Sequence, residues 1–84
     1  MEQRVFKSTN LKFVAYLLSI GIDYDNIEFT TRHKRIMFSF ANHNFDILLE
    51  LYNKFSDSSV VINVQDYELK KNELFKIKEK MKEL

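Results

Sequence analysis

The densest cluster of side chains able to bind a ligand is the run Arg32-His33-Lys34-Arg35. It separates two stretches of alternating hydrophobicity, so we expect it at the tip of a β-hairpin with its side chains reaching outward. Guanidinium and ammonium groups recognise phosphates and carboxylates. These four residues are therefore the candidate partner-binding site. The alternative interpretation is a solvated turn whose charges discourage aggregation between strands.

A second basic feature is the C-terminal segment, where lysines are interspersed with glutamates. Mixed signs at this spacing are typical of a solvated helix face, and phosphate binding is the subordinate interpretation. The lysines are Lys70, Lys71, Lys76, Lys78, Lys80 and Lys82.

The two histidines do not indicate a metal site. Neither His33 nor His43 belongs to a ligand motif such as HExxH. The acidic segment around Asp23, Asp25 and Glu28 lacks the glycine and the distal glutamate of an EF-hand loop. We therefore expect no bound metal and no cofactor.

A nucleophilic site is not indicated either. The run Asp57-Ser58-Ser59 has no neighbouring histidine and no glycine-containing elbow, so it is better interpreted as the end of a helix. We therefore expect that the protein is not an enzyme.

The elements that position these residues follow from the spacing of apolar side chains. A short strand at Val5-Phe6 is followed by N-cap candidates at 8–10 and by a helix that is apolar on nearly all sides. Gly21 suits the left-handed residue after that helix. Alternation then predicts strands around Ile27–Phe29 and Ile36–Phe40.

The second half of the chain predicts two amphipathic helices. Asn42 or Asn44 caps the first of them, and Asn63 with Asp66 resembles a capping box before the last. Between them, Val60–Ile62 is either an edge strand or an extended crossing segment. The apolar face of the first of these helices consists of Phe45, Leu48, Leu49, Tyr52 and Phe55.

These elements predict one α+β domain over residues 1–84, in the order β-α-β-β-α-(β)-α, with helices packed on one face of a small antiparallel sheet. Phe29, Phe38 and Phe40 share the parity of the core face. Base stacking on the opposite face is therefore not favoured.

Composition restricts the classes of function. The chain has no cysteine, which fits a reducing cytoplasm. Its net charge is +1, which argues against a general polyanion binder. The first residues lack the pattern of a secretory signal, and the longest apolar stretch, 13–22, is too short to span a bilayer. We expect a cytoplasmic protein without membrane contact.

Apolar side chains exceed what one small core needs. The first helix is apolar almost all round, and Met37, Ile47 and Leu51 have the parity of exposed positions. This surplus predicts an association surface, including that of a homodimer, unless the third helix covers it.

The run 6–18, Gly21 and the segment Arg35–Phe40 resemble a family of short uncharacterised phage and prophage proteins from low-GC Gram-positive bacteria, a domain of unknown function. The resemblance covers most of the chain and carries no functional residue. It implies a non-catalytic accessory protein that binds and inhibits a host protein or a defence complex in the host cytoplasm. The alternative is a small nucleic-acid-binding accessory protein that uses the basic tip and the terminal lysines on phosphates.

Overall fold

The computed structural model describes residues 4–30, 35–57 and 60–82, which form an α+β fold. The strands are β1 (Phe6–Ser8), β2 (Asn26–Thr30) and β3 (Arg35–Phe40). The helices are α1 (Leu11–Ser19), α2 (Phe45–Ser56) and α3 (Val64–Lys82), and the order is β1-α1-β2-β3-α2-α3. The predicted fold class is confirmed. Residues 60–63 form no strand and are the crossing segment between α2 and α3.

The sheet is antiparallel with the order β1-β3-β2, so β3 is central. In this register Phe6 lies opposite Phe40 and Ser8 lies opposite Phe38, on the face that packs against the helices. The rings of Phe38 and Phe40 are buried and Phe29 is half-buried against the same core, as the parity of these three residues predicted. Phe6 is buried with them. Side chains on the other face alternate with them and are mostly polar.

Helix α1 begins and ends where local chemistry predicts. The Asn10 side chain accepts the N–H of Phe13 at 3.2 Å, and Gly21 follows the helix with φ +90°. The N–H of Gly21 donates to Leu18 O and the N–H of Ile22 donates to Leu17 O. This is the Schellman arrangement, which satisfies the last carbonyls of a helix.

The nearly all-round apolar surface of α1 is covered within the chain. Phe13 is fully buried, with its ring 5.1 Å from that of Tyr52 and 5.5 Å from that of Phe55, both on α2. On another side α1 packs against α3, whose Leu74 belongs to the same core. Helix α3 therefore covers the side of α1 that the sequence analysis assigned either to the third helix or to a second subunit. The homodimer stays a prediction.

The two later helices also begin at asparagines. Asn44 accepts the N–H groups of Asp46 and Ile47, and Asn63 accepts the N–H of Asp66 at 3.1 Å. Of the two predicted caps for α2, Asn44 is thus the one used. Side-chain oxygens at these positions satisfy N–H groups that have no partner inside the helix.

Candidate functional site

Of the predicted basic cluster Arg32–Arg35, the structure describes only Arg35. Arg32, His33 and Lys34 lie outside the described residues. Arg35 is exposed, begins the central strand β3, and is opposite Thr30 of β2 in the register. The proposal that all four residues bind a partner therefore stays a prediction.

Arg35 shares a cleft with a lysine from the C-terminal helix. The cleft has a volume of about 240 Å³, and Lys78 of α3 lies on it beside Thr9 and Leu11 from the start of α1 and Ile36 from β3. Arg35 and Lys78 belong to the two basic features that the sequence predicted separately. We call this feature the basic cleft. Two cations on one concave surface favour a ligand that carries carboxylates or phosphates.

A groove of about 320 Å³ runs beside β1. Its described lining residues are Phe6–Asn10 from β1 and the turn after it, together with Leu49 and Tyr52 from α2. Leu49 remains 41% exposed, although its spacing placed it on the packing face of α2. The structure corrects that assignment, because Leu49 lies at the margin of the helix–sheet contact. We call this feature the edge groove.

The edge groove and the basic cleft share Thr9, which lines both. Among the described residues that line them, the charged side chains are Lys7, Arg35 and Lys78, all cationic. At the other end of β1, the Arg4 guanidinium lies 5.5 Å from the centre of the Phe45 ring. Cations thus follow β1 along its length and beyond both of its ends.

Other lysines of α3 are placed differently. Lys71 forms an ion pair with Glu68 at 3.0 Å, and Lys70 lies 3.8 Å from Glu73, both within the helix. These are exposed pairs, which contribute little to stability. The side chain of Lys82 lies outside the described part of the structure.

A further cavity, of about 560 Å³, has described lining residues from α3 alone. Since no second described element forms its opposite wall, it does not define a site comparable with the edge groove. These lining residues are Phe75, Lys76, Ile77, Glu79 and Lys80.

The acidic connector before β2 has a structural role. The Asp25 carboxylate accepts the backbone N–H of Asn42 at 2.9 Å and also the side-chain amide of Asn42. The His43 ring nitrogen Nε2 lies 3.1 Å from the carbonyl oxygen of Asp23. These contacts join the start of β2 to the turn after β3. In the described residues there is no group of three or more His, Asp or Glu side chains arranged to hold a metal ion.

The exposed face of the sheet carries no aromatic side chain in the described strands. Lys7, Asn26, Glu28 and Arg35 are exposed there, around the half-buried Met37 and the buried Ser39. A platform for stacked bases requires aromatic rings on such a face. This face therefore offers charge and hydrogen bonds and has no stacking surface within the described strands.

Sequence reasoning missed the edge groove because no motif marks it. Its residues were assigned to a strand, to caps and to a core helix, and only the tertiary arrangement brings 6–10 beside Leu49 and Tyr52. The one local signal is that Leu49 lies at the flank of the apolar stripe of α2.

Comparisons with known proteins leave the function to be inferred from the geometry. No family, curated protein or solved structure matches this chain. Within the described residues, no helix has both the length and the apolar character needed to cross a membrane.

Proposed function

We propose that this chain is a non-catalytic accessory protein of the phage type that binds a host protein and inhibits it in the host cytoplasm. The observation that carries the proposal is that the edge groove and the basic cleft lie side by side and share Thr9. This surface places apolar side chains beside polar and charged ones, an arrangement that resembles the apolar core and polar rim of a protein interface. The phage context and the inhibition come from the sequence resemblance.

A protein partner is favoured over nucleic acid for two reasons. Large apolar side chains remain exposed, including Leu49 in the edge groove. Their burial against another apolar surface lowers the free energy of binding, whereas contact with phosphates does not. In addition, the aromatic rings of the sheet point into the core. A partner that presents carboxylates beside apolar side chains satisfies both the cations and the apolar part of the groove.

Affinity capture with matched charge reversals tests the proposal. Immobilised wild-type chain is exposed to lysate of a low-GC Gram-positive bacterium, beside Arg35→Glu/Lys78→Glu. The control is Lys76→Glu/Lys80→Glu, which reverses two exposed lysines of α3 that lie away from the basic cleft. We expect wild type and control to capture the same protein and the cleft variant to lose it. The captured protein, once purified, should lose its own activity when the chain is added.

Two results would contradict the proposal. One is equal capture by all three proteins, since the cleft would then have no part in binding. The other is binding to duplex or single-stranded DNA or RNA that falls steeply with salt and is lost in Arg35→Glu/Lys78→Glu, because that dependence is the signature of phosphate contacts. The second result would support the nucleic-acid alternative.

A further inference from the structure

We infer that β1 accepts an extended, acidic segment of the partner protein as a fourth strand of the sheet. This inference rests on the proposed function and specifies how the partner is held and what its segment must contain. It follows from the direction of the backbone groups of β1, from the charges along it, and from the two faces that an added strand would meet.

The backbone of Lys7 is directed away from the sheet. The Ser39 carbonyl oxygen accepts the N–H of Asp25 at 2.8 Å, so Ser39 directs its backbone groups toward the β2 side of β3. Backbone groups of successive strand residues point to alternate sides. Phe38 and Phe40 therefore face β1, and Lys7, which is opposite Ser39, directs its N–H and C=O outward.

This outer edge of β1 has no neighbouring strand in the described part of the chain, where the sheet order is β1-β3-β2. Lys7 and Thr9 are exposed, and the edge groove provides space along Phe6–Asn10. A backbone N–H and C=O that have no strand partner among the described residues, beside an open groove, meet the requirements for strand addition, in which main-chain hydrogen bonds hold the ligand and alternate side chains select it.

The two faces of the added strand meet different chemistry. The Lys7 side chain is on the face away from the helices, so a ligand residue opposite it is favoured when it is Asp or Glu. Ligand residues before and after that one point toward α2, where Leu49 and Tyr52 line the groove. An apolar residue is favoured there. The segment should therefore alternate acidic and apolar residues.

The charges extend this preference beyond β1. Thr9 connects the groove to Arg35 and Lys78, and Arg4 lies near the opposite end of β1. A segment that continues past Thr9 should carry further carboxylates to meet the two cations of the basic cleft.

A second copy of this chain is a disfavoured occupant. The symmetric pairing of β1 with its copy that is centred on Lys7 would place Lys7 opposite Lys7, because these residues direct their backbone groups outward. Like charges directly opposite one another destabilise a strand pair. The cation that prevents self-pairing therefore selects an acidic strand.

The test uses short linear peptides selected on the immobilised chain from a random display library. Affinities of the selected peptide are measured for wild type, Lys7→Ala and Lys7→Pro. Both variants remove the positive charge of Lys7, and only Lys7→Pro also removes the outward N–H. An edge strand tolerates proline at a position whose N–H points outward. We expect alternating acidic and apolar peptides. From Lys7→Ala to Lys7→Pro we expect a further loss of affinity of about twofold to tenfold, as for one hydrogen bond.

Hydrogen exchange of the Lys7 amide in the wild-type chain gives a second readout that does not depend on the folding of any variant. Peptide binding should slow that exchange. Equal affinities of Lys7→Ala and Lys7→Pro, unchanged exchange at Lys7, or selection of no acidic peptide would each overturn the inference. Capture of a host protein that is equally strong for Lys7→Pro and Lys7→Ala but lost in Arg35→Glu/Lys78→Glu would refute strand addition and leave the proposed function standing.

Discussion

The Asp25 carboxylate accepts two hydrogen bonds from Asn42, one from its backbone N–H and one from its side-chain amide. This contact joins the start of β2 to the turn between β3 and α2. An acidic residue of the connector before β2 thus fixes the end of the hairpin.

Removal of this contact should reduce stability. We expect Asp25→Ala to lower the free energy of unfolding by about 1 kcal/mol, because the N–H groups of Asn42 lose a charged acceptor and are only partly compensated by water. Asp23→Ala is the control, because His43 contacts the backbone carbonyl of Asp23 and the substitution leaves that carbonyl in place. Urea unfolding of both variants measures the difference. Equal stability of the two would show that the carboxylate of Asp25 is not needed.

Gly21 has a conformational role without steric crowding. Its φ is +90°, and a Cβ placed there would meet no atom within 4 Å. Substitution should therefore cost backbone strain alone, about 1 kcal/mol or somewhat more for Gly21→Ala. Gly21→Asn should cost less, because asparagine tolerates positive φ better. Thermal unfolding checks this order, and a Gly21→Ala variant as stable as wild type would contradict the Schellman assignment.

Phe13 holds the core together from the centre of a ring cluster. Its ring contacts those of Phe6, Tyr52 and Phe55, and the side chain is fully buried. We expect Phe13→Ala to cost about 3–5 kcal/mol, which is enough to unfold much of a small domain.

Phe75→Ala is the matched control, because that phenylalanine is 41% exposed on α3. It should cost far less. Circular dichroism and urea unfolding of the pair measure the effect. Similar losses for both variants would place the core elsewhere.

Local chemistry could be predicted from the sequence, and tertiary relationships could not. The Asn10 cap, the turn at Gly21 and the inward parity of Phe38 depend on residues within a few positions of each other, so propensity and periodicity were sufficient.

The meeting of Arg35 with Lys78 has a different origin. It depends on how α3 crosses α1, which periodicity does not specify because one apolar stripe is compatible with several helix arrangements. For the same reason Leu49 was assigned to the core, and the structure places it at the edge groove. Strand β3 and helix α3, which carry Arg35 and Lys78, were each predicted correctly, and the basic cleft forms where they come together.

The central claim is that the edge groove and the basic cleft together bind a protein partner. The affinity of the captured partner for Leu49→Ser and Ile47→Ser, measured by titration calorimetry, tests it most directly. Both residues are exposed apolar side chains of α2, at 41% and 56%, but of the two only Leu49 is among the described lining residues of the edge groove. We predict that Leu49→Ser weakens binding by about fivefold to tenfold, through lost apolar contact, and that Ile47→Ser leaves it unchanged. An unchanged affinity for Leu49→Ser would contradict the account.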